Sequence, residues 1–473
     1  MKAVKLNEDI FKNINGGDVL LSAPYRVATE IKGKLTRDLV EEISRAKKEP
    51  DWMRRLRLRS LELFYKLPMP RWLPGVEEID LEGLAYYVKP DLPKIERWED
   101  LPREIREFYE KLGLPEEEAK ALAGLQTVMD SENIFESVKE SLREKGVILM
   151  SMDEAVQKDL PIVKEYFMRI FPPGDHKFAA LHGALWSGGV FLYMPKNVKI
   201  FEPIEGFFLI GSAMEGQFEH TLIIADEGSY VNFVEGCSAP RFVGYSFHDG
   251  MVELYAHKNS TIKFTTLQNW SRNVINYNNK RGIAESNARI DWFEGSIGAK
   301  VTVTYPTTIL RGKNARSESY VVSLSNGPVL KDTGSKMIHA APHTASKIVN
   351  KSISANGGIN AYRGLVKINK GAYKSVAHVE CDSLILDDQS VAHTYPHSQL
   401  EEPTASVTHE ATTGRLSESQ LFYLTSRGFT EAEAKSMIVL GYLESVLKDL
   451  PFEMVNVLRR VVQLEFKEIG GLG

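Results

Sequence analysis

The tetrapeptide Ser-Val-Ala-His at Ser375 to His378 returns unchanged at Ser390 to His393 and, as Ser-Val-Thr-His, at Ser406 to His409. A motif that recurs at a near-constant step in extended sequence suits a chain winding back to the same place, as successive coils of a parallel β-helix do, each about 4.8 Å above the last. On that reading His378, His393 and His409 form a ladder. The surrounding sequence agrees: from about Phe178 to Ala411 short segments alternate apolar and polar residues between Gly, Asn and Asp, as in GVFLYMP, STIKFTTLQNW and AYRGLVKINKG, with no helical pattern between them.

The ends of the chain read differently. Residues 1–150 carry apolar residues at helical spacing, for example Trp52, Leu56, Leu63 and Leu67, and PREIREFYEKLGL and PEEEAKALAGL read as two short helices with acidic first turns. The arginines Arg54, Arg55, Arg57 and Arg59 read as a solvated helix face. After Thr412, SESQLFYLTSRG, TEAEAKSMIVLGYLESVLKDL and PFEMVNVLRRVVQLEFKEI are amphipathic; Thr430 and Glu433 form a capping box, and Gly428 suits the break between the first two helices. Such helices either cap the open end of a solenoid or form a docking surface. The expected organisation is a mainly β protein with flanking α: an N-terminal helical domain (1–150), a parallel β-helix core (151–411) and a C-terminal helical domain (412–473).

Composition excludes several functions. A formal net charge of -5 argues against binding nucleic acid through its phosphates. No apolar run is long enough to span a membrane and no signal core opens the chain, so a cytoplasmic address is expected. There is no GxxxxGK[ST] for a nucleotide and no GxSxG for a hydrolytic serine.

The two cysteines, Cys237 and Cys381, form no CxxC pair, and either reads as a small buried apolar residue or as a reactive thiol. In an extended strand neighbouring side chains alternate faces, so Cys381 points away from His378, and Glu410 away from His409. With coils stacked in register, Cys381 and Glu410 then share one face and the histidines the other. A thiolate, an imidazole and a carboxylate in one patch could bind iron or zinc; equally, His and Glu on the outside of a solenoid could be simply solvated.

EPDWMRRLRLRSLELF, GQFEHTLIIADEGSYVNFVEGCSAP, TTLQNW, HVECDSLIL and THEATTGRLSESQLFYLTSRGFTEAEAKSMIVLGY resemble the SufB/SufD family of iron-sulphur cluster assembly proteins, and its SufB branch most. The resemblance spans nearly the whole chain. It implies a right-handed parallel β-helix flanked by helical domains, acting as a scaffold rather than an enzyme. A transient cluster, expected as 4Fe-4S, is assembled on it with sulphur from a cysteine desulphurase system, and reduced flavin has been associated with the bacterial complex. The implied partners are a SufC-type ATPase on the C-terminal helices, which supplies the missing P-loop, and SufD or a second SufB copy through the β-helix.

Carried over residue by residue, the resemblance places the sulphur-accepting cysteine at Cys237 and the assembly cysteine at Cys381. His409 and Glu410 fall on the further metal ligands, and Gln268, Trp270 and Lys280 on an internal path for sulphur. Two cysteines would suffice for a thiolate relay. One cysteine is too few for a cluster that wants four ligands, so a second subunit is expected to complete the shell. The chain departs from the family pattern in lacking an N-terminal CxxCxxxC motif, in carrying Leu209 and Gly211 where an Arg and an Asn are expected, and in Thr408 where an acidic residue can occur. Two alternatives stand beside this reading: a SufD-like structural subunit without its own cluster site, and a carbohydrate-active β-helix enzyme.

Overall fold

Strands Val376–Ile385, Val391–Leu400 and Ser406–Arg415 do not stack on one another in sequence; they alternate between two sheets. Val376–Ile385 pairs in parallel with Ser406–Arg415, Val376 opposite Ser406, while Val391–Leu400 pairs with Ile359–Ile368 in the other sheet. From His378 to its bonded neighbour Thr408 one coil above, the chain advances 30 residues. The recurrence seen in the sequence is therefore half a coil. This corrects the histidine ladder: His378 stands opposite Thr408 and His393 opposite Ala361. What the first two copies mark is the corner before the strand. The buried Ser375 hydroxyl lies 2.7 Å from Thr344 Oγ1, and the Ser390 hydroxyl donates to Asp387 Oδ2 at 2.9 Å, so these serines satisfy polar groups where the chain turns.

The computed structural model describes residues 26–92, 94–95, 124–138, 140–211, 214–239 and 245–448, with positions 455, 459 and 462. Its core is a β-solenoid of about eight coils. In the sheet that concerns function, the parallel strands run in the order Ile204–Leu209, Tyr230–Ala239, Thr261–Trp270, Arg289–Gly298, Arg316–Asn326, Ala345–Ala355, Val376–Ile385 and Ser406–Arg415. Alternation sends every second side chain into the coil: Ala377, Val379, Cys381 and Ser383 are buried, and His378, Glu380 and Asp382 between them are only half-buried. Strict register then stacks like residues. Phe233, Phe264 and Trp292 form an inner aromatic column with ring centroids 5.4 and 5.5 Å apart.

One corner repeats through a left-handed residue: Gly228, Asn259, Asn287, Asn314, His343 and Lys374 all have positive φ. Asparagine tolerates this conformation, and Asn287 and Asn314 each donate a side-chain hydrogen bond of 3.0 Å to the asparagine one coil back.

The boundary expected near residue 150 shifts. Gly124–Met129 pairs in parallel with Ile204–Leu209 and carries Glu132–Val138 antiparallel beside it, so the sheet begins before the helical stretch was expected to end. Helices Met152–Gln157, Pro161–Tyr166 and Lys177–Leu185 lie within 151–411. Helix Asp51–Lys66 forms as read and packs against Lys177–Leu185. Arg57, however, is fully buried, not solvated: its guanidinium pairs with Glu49 at 2.6 Å and donates to the Ala184 and Trp186 carbonyls at 3.0 and 2.8 Å. The first of the two short helices lies outside the described residues, as do all but the last two residues of the second, Gly124 and Leu125, which open a strand instead of ending a helix; most of the helix read after Pro451 also lies outside the described residues. No described helix is long and apolar enough to cross a membrane.

At the C-terminal end, Glu418–Ser426 and Glu431–Leu447 are helices, divided by Gly428 at φ +94°. The Thr430–Glu433 capping box is present in both directions. The second helix does not cap the stack; Val439 and Leu443 lie on the outer face of the sheet against residues such as Phe293, Val349 and Ile353. Among the described residues the last coil is left open, with Val391–Leu400 and Ser406–Arg415 exposed along most of their length.

Candidate functional site

Cys381 faces into the last complete coil, packed with Tyr362, Val366 and Val379. Its register partner on the terminal strand is Ala411, and that of Val379 is His409. Register partners in parallel strands share a face, so His409 lies on the face of Cys381, two positions out of register. The contact follows: Cys381 Sγ is 3.3 Å from His409 Nε2. Glu410 stands opposite Glu380, whose carboxylate meets Lys351 Nζ at 2.7 Å on the outer face. The parity reading that joined Cys381 with Glu410 and set His409 apart is therefore reversed. It took His378 and His409 as register partners, but the step between these strands is one residue shorter, so Cys381 and Glu410 fall one position off register. Glu410 reaches Cys381 only through its carbonyl, 3.7 Å from Sγ. Thr408 is bonded to His378, with Oγ1 and Nδ1 2.8 Å apart.

Burial pushes the Cys381 thiol up to about 11, with Asp382 and Glu380 adding to the shift. A ligand role thus requires a metal to displace the proton. Among the described residues no three His, Cys, Asp or Glu side chains converge as a metal site. Cys381 and His409 form a two-donor pair at the open end of the solenoid.

Cys237 is also buried on an inner face, near the other end of the sheet. Burial drives its pKa well up, reinforced by Glu235 and Glu219 and opposed by Lys280. Its register partner is Gln268, so these two residues singled out in the sequence adjoin. Trp270 lies two positions further along the same inner face, its ring 4.6 Å from that of His248. Lys280 enters from the opposite sheet and is held by Glu235 at 3.1 Å, Glu294 at 2.9 Å and Thr266 Oγ1 at 2.6 Å. Burial opposes its charge, but the two carboxylates outweigh burial and hold its pKa above the ordinary lysine value. Leu209 and Gly211 sit beside this region; the Leu209 carbonyl accepts from Gln217 Nε2 at 3.0 Å, and the Gly211 N–H donates to Asp130 Oδ1 at 2.6 Å.

The structure does not bring the two cysteines together. Strands Tyr230–Ala239 and Val376–Ile385 are five steps apart in the sheet, roughly 24 Å at the usual strand spacing. Direct exchange between the thiols is out of reach.

Between them runs a feature that sequence reasoning missed. In strict register after Cys237 come Gln268, Ser296, Ser323, Ser352 and Ser383, all buried on the inner face. Asn276, Thr302, Lys331 and Asn360 form a second register column in the opposite sheet. Asn276 Nδ2 donates to Gln268 Oε1 at 2.6 Å, and the Ser296 and Thr302 hydroxyls are 3.5 Å apart, so the columns face one another. The signal was present as one serine to each coil, from Ser296 to Ser383, visible only once the coil length is known.

The described core is thus a two-sheet parallel solenoid with a buried polar interior, one thiol near each end of the sheet and His409 beside the thiol at the open end. Comparison with known proteins places the chain in a family. Residues 208–442 match the SUF system FeS cluster assembly SufBD core domain, and residues 121–205 the SufBD protein N-terminal region. Iron-sulfur cluster assembly SufBD family proteins from Staphylococcus haemolyticus, Staphylococcus epidermidis and Staphylococcus aureus are each 43% identical over 439 residues, covering 93% of this chain and 94% of the relative. The chain belongs to the SufBD family of iron-sulphur cluster assembly proteins.

Proposed function

We propose that this chain is the SufB-type subunit, a cytoplasmic scaffold that accepts sulphur at Cys237 and builds a nascent cluster, of the 4Fe-4S type, at Cys381. The observation that carries the proposal is the 3.3 Å approach of Cys381 Sγ to His409 Nε2. A thiolate and an imidazole on adjacent strands are donors suited to iron. Glu410 follows them as a ligand, since its side chain starts from the opposite face of the same strand. Two donors are too few for a cluster, and the last coil leaves its strand edges exposed. Those edges favour pairing with SufD or a second copy of this chain, whose residues would complete the shell.

The C-terminal helices expose Phe422, Tyr423, Phe429 and Met437, which supports their use as the docking face of a SufC-type ATPase. Gln268, Trp270 and Lys280 belong to the sulphur path. Reduced flavin is an electron source for the assembled complex. The test is anaerobic reconstitution of the full chain with and without its partner, followed by iron and sulphide analysis. The partner should raise cluster content, and Cys381→Ala should abolish it. Unchanged content in that variant would return the chain to a structural, SufD-like role.

A further inference from the structure

The last complete coil encloses a tyrosine hydroxyl with no hydrogen-bond partner among the described residues, that of Tyr362. Tyr362 stands on strand Ile359–Ile368 and Cys381 on Val376–Ile385, the two walls of that coil, and both side chains belong to one inner cluster. Tyr362 is 2% exposed. A buried tyrosine hydroxyl ordinarily finds a partner, because leaving it dry costs free energy. Its neighbours in the cluster offer none: Met337, Ile348, Val366 and Val379 are apolar. Room for the hydroxyl is nevertheless kept. A Cβ at Gly364 would overlap the Tyr362 oxygen and the ring carbon that bears it. Gly364 lies within a strand and is not among the positive-φ glycines, so it serves close approach rather than backbone conformation. Burial pushes the phenol up and the charge on Cys381 adds to the push, which puts hydroxyl and sulphur within electrostatic reach.

We infer that Tyr362 belongs to the assembly site, its hydroxyl donating a hydrogen bond to a sulphide of the nascent cluster held at Cys381. The inference rests on the scaffold reading above. A cluster sulphide carries negative charge and accepts hydrogen bonds, so a nearby O–H stabilises it, and more strongly where water is excluded. The same bond tunes the cluster, since hydrogen bonds to its sulphurs help set its potential. His409 meets Cys381 Sγ from the neighbouring strand, and Tyr362 approaches from the opposite wall. The O–H donates as it stands and no proton is transferred. Without the cluster the hydroxyl is a cost to the fold; with the cluster it is satisfied.

One substitution should therefore act in opposite directions on the apo and the loaded protein. Wild type, Tyr362→Phe and Gly364→Ala are melted as apo full chains. Each is then reconstituted anaerobically, in the complex with its partner, with ferrous iron and inorganic sulphide, and release of iron to a chelator is followed. Apo Tyr362→Phe should melt at or above the wild-type temperature, because it loses only an unpartnered oxygen. Once loaded, it should release iron about tenfold faster, the effect of losing one hydrogen bond. Gly364→Ala, which displaces the ring, should also release iron faster. In pulsed electron paramagnetic resonance of the reduced cluster, wild type should show a coupled proton that exchanges in deuterium oxide and that Tyr362→Phe lacks. Release at the wild-type rate from Tyr362→Phe overturns the inference, and so does a clear fall in its apo melting temperature, which would give the hydroxyl a structural role. A wild-type complex whose cluster is equally present in Cys381→Ala overturns the scaffold reading itself.

Discussion

Cys381 and His409 sit on adjacent strands of one sheet, two positions out of register and on the same inner face, with Sγ and Nε2 3.3 Å apart. The relationship follows from the coil length. Partners in register share a face, and so does any pair displaced from register by two positions, as Cys381 and His409 are. A displacement of one position, as between Cys381 and Glu410, puts the two side chains on opposite faces.

The Cys381 thiol, pushed up to about 11 by burial and by Asp382 and Glu380, should be almost unreactive at neutral pH. Its alkylation rate, followed by peptide mass, should rise about tenfold per pH unit until pH approaches that value. Because the folded pKa lies above the unfolded one, the protonated thiol favours the fold. That contribution is complete below about pH 8.5 and is lost as pH rises through the folded value. A flat alkylation profile above neutrality would contradict this.

Lys280 neutralises two buried carboxylates, Glu235 and Glu294. Lys280→Met leaves both without their cation and should cost about 3–5 kcal/mol in urea denaturation. Adding Glu235→Gln and Glu294→Gln to that variant should recover most of the loss. A Lys280→Met protein as stable as wild type would show that the carboxylates are already neutral.

Arg57 and Arg54 lie on one helix and differ in surroundings. Arg57→Ala strands buried Glu49 and two carbonyls and should cost about 3–5 kcal/mol. Arg54→Ala breaks only surface pairs with Asp51 and Glu41 and should leave stability nearly unchanged. Thermal melts of the two variants check the contrast.

At the left-handed corner, Asn287 has φ +56° and links the asparagines on either side. Asn287→Val places a branched side chain in that conformation and should cost about 1–3 kcal/mol, whereas Asn287→Gly should cost less. Equal losses would assign the cost to the hydrogen bonds rather than to the backbone.

How much of this was legible in the sequence depended on one number, the coil length. Strand texture and the Ser-Val-Ala-His repeat announced a solenoid, and the capping box and Gly428 announced the final helices, because these signals are local. The coil length was misread because Ser375 and Ser390 mark the two corners of one coil, and two corners per turn halve the apparent period. The period was in fact written in Gly228, Asn259, Asn287, Asn314, His343 and Lys374, which share a conformation but not an identity. The wrong partner for Cys381 came from a single residue: the motif copies align His378 with His409, whereas the strands pair His378 with Thr408. Arg57 was misplaced for a different reason: a buried guanidinium is set by its acceptors, and two of these, the Ala184 and Trp186 carbonyls, belong to a distant part of the chain.

Whether Cys381 and His409 are the chain's own first ligands to the nascent cluster is decided by pulsed electron paramagnetic resonance on the reduced, reconstituted complex. Wild type should show a nitrogen hyperfine coupling from a bound imidazole. The coupling should vanish in His409→Ala and persist in Glu410→Ala, and Cys381→Ser should hold no cluster. A cluster in Cys381→Ser at wild-type content, or a wild-type cluster without nitrogen coupling, would refute the assignment.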